Sequence, residues 1–210
     1  MKKILILLTA LAVVAFVSCK KTDDYSGNLG GSTNLDVNKV GYEYAGSLKI
    51  GSNYMTTDAK AVVVSNSGGI VTLKLTSTLP AKFKSLMSTS PYVGGNGDLD
   101  FSGQFVNSTE GVAYVNASGS QSILVRYDAK VGDQWSYTTK AGKVLTRKVT
   151  AVSTDDDFPW GMLYIKVITV EQSLPYPGFK KVVYRANHKF GLVQFEVYLE
   201  DGTVATMTLF

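Results

Sequence analysis

The chain has one cysteine, one histidine and five prolines in 210 residues. A lone cysteine excludes an internal disulfide. Two such side chains are also too few for a structural zinc site, which draws four ligands mostly from Cys and His. Nucleophilic catalysis is equally short of parts. The one histidine, His188, lies in the turn-like Asn187-His188-Lys189, and no Gly-x-Ser-x-Gly elbow occurs. Strong charge is missing as well: 21 basic residues face 17 acidic ones, and no basic run exceeds two. Without Lys2 and Lys3 the balance falls to about +2, far from the clustered basic face of a nucleic-acid binder. The longest apolar run, residues 4–17 with Thr9 inside it, has 14 residues. A membrane-crossing helix needs about 20.

What that run does fit is a secretory signal. It follows Met1-Lys2-Lys3 and stops at a small residue. Its end, Phe16-Val17-Ser18-Cys19, resembles the bacterial lipobox, with Ser18 as the small residue and Phe16 departing from the usual leucine. The resemblance implies cleavage after residue 18, diacylglycerol on the Cys19 sulfur and acylation of the new amine. Several acyl chains make a stable anchor. Residues 1–18 therefore read as a lipoprotein signal peptide. Residues 19–34, polar and glycine-rich, read as a flexible tether. Lys20, Lys21, Asp23 and Asp24 resemble the export signal of surface lipoproteins in the Bacteroidetes group, and fit a solvated linker equally. The resemblance implies a lipid-anchored protein of the cell envelope, at the outer membrane, on its surface or periplasmic face.

Residues 35–210 are long enough to bury one core. Helical periodicity is scarce there, whereas alternating runs rich in Val, Ile, Thr and Tyr recur between Gly, Asn, Asp and Pro clusters. Residues 61–65 and 70–76 flank Asn66-Ser67-Gly68-Gly69 as a hairpin, and Asp201-Gly202 marks another. Further strands fall at 99–106, 111–116, 123–127, 134–138, 144–152, 162–170, 181–186, 192–200 and 204–210. Phe83, Leu86 and Met87 in Pro80–Met87 have helical spacing. The fold expected is all-β, an antiparallel β-sandwich or open barrel of roughly 10–12 strands. Lys39-Val40-Gly41-Tyr42-Glu43-Tyr44 parallels Lys130-Val131-Gly132-Asp133-Gln134-Trp135-Ser136-Tyr137, consistent with two related β-units or with chance. The stretch from Val131 to Tyr137, with Phe190-Gly191-Leu192-Val193, resembles envelope lipoprotein domains of uncharacterised function over the C-terminal 80 residues or so. That likeness implies a β-domain and no activity. The last strand lacks the apolar stripe of an integral membrane barrel: counting back from Phe210 in twos gives Thr208, Thr206, Val204 and Gly202.

No cofactor or metal is expected. Gly94-Gly95-Asn96-Gly97-Asp98-Leu99-Asp100 has Leu99 where a calcium repeat wants Asp, and Asp155-Asp156-Asp157 reads as a solvated turn. The aromatic residues carry the binding expectation. Phe158-Pro159-Trp160 and the Tyr176 loop flank one strand pair, so Phe158, Trp160 and Tyr176 form either an aromatic rim for a glycan or envelope protein, or caps over the core. The function expected is non-catalytic binding of a ligand or partner. The rival is an envelope hydrolase using paired carboxylates, for which the sequence supplies Glu43, Glu110, Glu171, Glu196 and Glu200 without pairing them. Growth with an alkyne fatty acid should label the wild-type protein and leave Cys19→Ser unlabelled; equal labelling of both would remove the anchor.

Overall fold

The structure is a computed structural model that describes residues 27–210 apart from 53, 82, 83, 85–93, 140 and 176. The signal, Cys19, the Lys20–Asp24 motif, Tyr176, and the Phe83, Leu86 and Met87 of the expected helix lie outside the described residues. Among the described residues, no helix is long and apolar enough to cross a membrane.

A single 3-10 turn at Asp36–Asn38 precedes a meander of six strands: β1 (Glu43–Ile50), β2 (Tyr54–Ser67), β3 (Ile70–Ser77), β4 (Leu99–Ser108), β5 (Gly111–Val115) and β6 (Gln121–Arg126). A second meander follows: β7 (Gln134–Thr138), β8 (Val144–Val152), β11 (Ile168–Ser173), β12 (Phe179–Asn187), β13 (Gly191–Leu199) and β14 (Val204–Leu209). A separate hairpin, β9 (Phe158–Trp160) with β10 (Leu163–Ile165), interrupts it. The residues expected as one strand at 162–170 are thus split, because the chain leaves the sheet to form that hairpin. All pairings are antiparallel, and β1 pairs with β14, joining Gly46 to Leu209. The twelve strands make one sheet in the order β6-β5-β4-β3-β2-β1-β14-β13-β12-β11-β8-β7, rolled into a nearly closed barrel.

Both meanders open with the same turn. Tyr42 N–H donates to the Lys39 carbonyl, as Asp133 N–H does to Lys130. Gly41 N–H donates to Val63 O at 2.8 Å, and Gly132 N–H to Val149 O at 2.9 Å. Gly41 and Gly132 have φ of 86° and 97°, a region in which a side chain is strained. The two copies align without the two-residue insertion that the spacing of their tyrosines suggests. Tyr44, opposite Ala61, corresponds to Trp135, opposite Arg147.

That correspondence breaks at the edges. β1 finds a backbone partner in β14, but its counterpart β7 has none in β6, so the sheet has a seam there. Side chains bridge it. The Trp135 indole N–H donates to the Ile123 carbonyl on β6 at 2.7 Å, and Arg147 Nη1 donates to the same oxygen at 2.7 Å. Arg147 Nη2 reaches Ser122 Oγ at 2.9 Å, and Asn116 Nδ2 donates to the Tyr137 hydroxyl at 2.9 Å. An unpaired sheet edge exposes donors and acceptors to stray pairing; here two long side chains occupy it.

One end of the barrel is plugged. Val37 and Asn38 turn inward there, and Asn38 Nδ2 donates to the carbonyls of Thr33 and Asn107 at 2.8 Å each. Trp135, Val149, Ile168, Val170 and Ala186 pack below. The tether expectation needs correction for residues 29–34, which lie against the barrel wall. Leu29 is buried with Val106, Ala113, Val115 and Ile123, its N–H bonded to Gln121 Oε1 at 2.8 Å, and Ser32 N–H bonds Thr109 Oγ1 at 3.0 Å. The physical reason is an outward apolar patch on β4–β6 that one leucine covers. Followed backwards from Thr33 to Leu29, this strap runs from the plugged end towards the start of β6.

Trp135→Ala should lower unfolding stability by about 3–5 kcal/mol, the usual range for emptying a buried Trp site, measured by denaturant titration. A loss under about 1 kcal/mol, within the scatter of surface substitutions, would show that the seam does not need the indole.

Candidate functional site

Inward-facing positions of the strands surround a cavity of about 1340 Å³. Binding sites for small molecules commonly span about 300–1,000 Å³, so this one exceeds the usual range. Its wall is mainly apolar: Leu73, Leu75, Leu99, Phe101, Leu124, Leu145, Val182, Phe195 and Val197 come from six different strands. Gly103 belongs to the reason the space exists, since a Cβ there would collide with the rings of Phe101 and Phe105 on the same face of β4. The mouth lies at the end opposite the plug, where exposed lining residues Ala117, Ser118 and Ser120 of the β5–β6 turn meet Thr138 at the end of β7.

Polar groups cluster on the seam side of the cavity. Arg147 lines the wall at 2% exposure. Its Nε donates to Gln172 Oε1 at 2.7 Å, which completes the set with Ile123 O and Ser122 Oγ. Its Cζ lies 6.0 Å from the centre of the Tyr137 ring. Burial pulls the guanidinium down to about 10, which still leaves it a cation at neutral pH. Among the described residues it is the one charged side chain lining the cavity, and no Asp or Glu lines it. Burial raises the neighbouring Tyr184 phenol, keeping it neutral.

Phe158 and Trp160, the two sequence-predicted residues that are described, do not line this cavity. Trp160 is buried at 8% exposure, stacked on Phe190 with ring centres 4.0 Å apart, its indole N–H donating to the Leu209 carbonyl. Phe158 is half-buried beneath Arg185, 5.8 Å from its ring centre. These two cap a small core with Ile165, Val167 and Val193, and the exposed apolar groups of the hairpin are Met162, Leu163 and Tyr164 instead. His188 is exposed on its turn. Asp98 is committed locally: it pairs with Lys84 at 2.8 Å and accepts the Leu79 N–H at 2.9 Å. Among the described residues, no group of three or more His, Cys, Asp or Glu could hold a metal. Glu171 and Glu196 sit two strands apart on the outer face, ion-paired to Lys181 and Arg185 at 2.9 Å each. Arg147 is the functional candidate that sequence reasoning missed. Its signal was phase, an arginine between Leu145 and Val149 on the inward face of β8.

No family model and no curated protein matches this chain. Among solved structures, the chain is similar to a Bacteroides fragilis protein described as exported and of YmcC-like fold, at 12% identity and a TM-score of 0.46. The match covers 82% of this chain and 95% of that one.

Two phenols at the plugged end generate a pH prediction. Tyr44 donates to Phe190 O at 3.1 Å and Tyr127 to Asn187 O at 2.9 Å, and burial raises both well above the ordinary tyrosine value. The folded state therefore keeps protons that the unfolded state releases near pH 10. The stabilisation is complete below that value and is lost as pH rises beyond it. Tyrosinate absorbance should show fewer than the twelve tyrosines ionising while the protein is folded, the rest appearing only with unfolding. A single smooth titration of all of them would contradict the burial.

Proposed function

We propose that this protein is a lipid-anchored, non-catalytic component of a bacterial cell envelope, at the outer membrane, whose barrel holds an apolar ligand. The lipobox at Cys19 supports the anchor. One observation carries the ligand reading: the cavity of about 1340 Å³ with a mainly apolar wall and a mouth at one end. A core left unfilled by side chains forfeits dispersion and transfer energy, which an apolar guest would recover. The sequence-based alternative, capture of a glycan or protein on aromatic loops, has less behind it, because the Trp160 ring is turned into the core. The hydrolase rival finds no carboxylate pair on the cavity wall among the described residues.

The strap favours a ligand from the lipid phase. Leu29 stands ten residues after Cys19, so the intervening chain reaches at most about 35 Å. The strap also heads towards the barrel end that carries the mouth. A lipid on Cys19 would hold that mouth close to the bilayer.

Nile red, a neutral apolar dye, should bind the protein saturably with a rise in fluorescence, and Leu145→Trp, which fills space beside the mouth, should weaken it by about tenfold or more. That is the loss expected when a methylene-scale misfit of about 1–3 kcal/mol enters an apolar site. Dye uptake that never saturates, or that ignores the substitution, would sink the reading.

A further inference from the structure

Arg147 does more than closing the seam requires. Bridging β6 and β7 needs donors to the Ile123 carbonyl, and the Trp135 indole already supplies one. Any neutral amide or hydroxyl could supply the second. An arginine brings a permanent charge into a mainly apolar barrel, and a buried charge is costly unless an opposite charge meets it. The Arg147 partners are a carbonyl, a hydroxyl and a side-chain amide, all neutral. Among the described residues, no carboxylate pairs with it. Three of the five N–H groups of a guanidinium are used in those bonds.

A second donor stands beside it. The Tyr137 hydroxyl accepts from Asn116 Nδ2, which can only donate, so the phenol's own proton is available to an acceptor in the cavity. A fixed cation on the wall of an apolar chamber, with the O–H of a ring whose centre lies 6.0 Å away, makes an anion receptor with room for a tail. One cation balances one negative charge. A dianionic phosphate head would leave charge uncompensated inside the barrel, and a neutral head would leave the guanidinium unpaired.

We propose that Arg147, with the Tyr137 hydroxyl, receives the head group of a monoanionic amphiphile, a long-chain carboxylate whose tail lies along Leu75, Leu99, Phe101 and Val197. This rests on the ligand-binding reading above and adds the chemistry of the head. The guanidinium and carboxylate form charge-assisted hydrogen bonds, roughly twice as strong as neutral ones.

The full lipidated protein, in phosphatidylcholine nanodiscs with empty discs as background, can be titrated with radiolabelled palmitate and with hexadecanol at mildly alkaline pH. Palmitate should bind about ten- to a hundredfold more tightly than the alcohol, the range expected of hydrogen bonds to a charged group. Arg147→Gln should abolish that preference, and Arg147→Lys should keep part of it. Equal affinities in the wild type would overturn the head-group assignment and leave the cavity reading standing. Binding of neither compound would overturn both. A preference that survives in Arg147→Gln would also overturn the assignment. Because palmitate and hexadecanol are compared first in the wild type, the test stands even where a variant melts.

Discussion

The barrel depends on how its last gap is closed. Eleven of its twelve neighbouring strand contacts are backbone ladders, and the twelfth, between β6 and β7, is held by side chains. The loop from Tyr127 to Asp133 delivers β7 without a ladder to β6. The Ile123 carbonyl then accepts both the Trp135 indole and the Arg147 guanidinium. A buried carbonyl left alone would lose about 1–3 kcal/mol, so the seam needs these donors. The large cavity follows from the same arrangement, since twelve strands enclose more space than their side chains fill.

The two meanders make the asymmetry plain. Gly41 and Gly132 set the same turn, and the same bonds tie each turn to the following hairpin. In the first half, Tyr44 lies opposite a small Ala61, and β14 completes the sheet by backbone pairing. In the second half, Trp135 lies opposite Arg147, and among the described residues no backbone ladder continues beyond β7. The polar cluster of the cavity has arisen where the near-symmetry of the barrel fails.

Much of this fold was legible in the sequence. Period-two alternation marked the strands at 134–138 and 144–152 with their observed bounds, and Gly68-Gly69 and Asp201-Gly202 marked hairpins that the structure contains. Closure into one sheet was not legible, because alternation states which face is buried but not which strand lies alongside. β10 was merged with β11, since Leu163, Ile165 and Val167 continue an alternating apolar pattern across the break, and β9 was read as a loop. The site was harder still. Aromatic residues near turns drew attention to Trp160, yet an indole is mostly apolar surface and its N–H found a carbonyl inside. Arg147 was hidden in a basic pair with Lys148, and only the alternation of β8 separates the outward charge from the inward one. Leu29 was lost in a glycine-rich stretch whose average composition says linker.

The strap has a mechanical meaning. Leu29 grips the outside of β5 and β6, and β6 is the strand whose far edge has no ladder. Tension in the chain ahead of Leu29 is therefore delivered beside the weakest line of the barrel, not to the β1–β14 junction on the other side. The attachment of the chain and the opening of its wall share one strand, so a pull on the first is felt at the second.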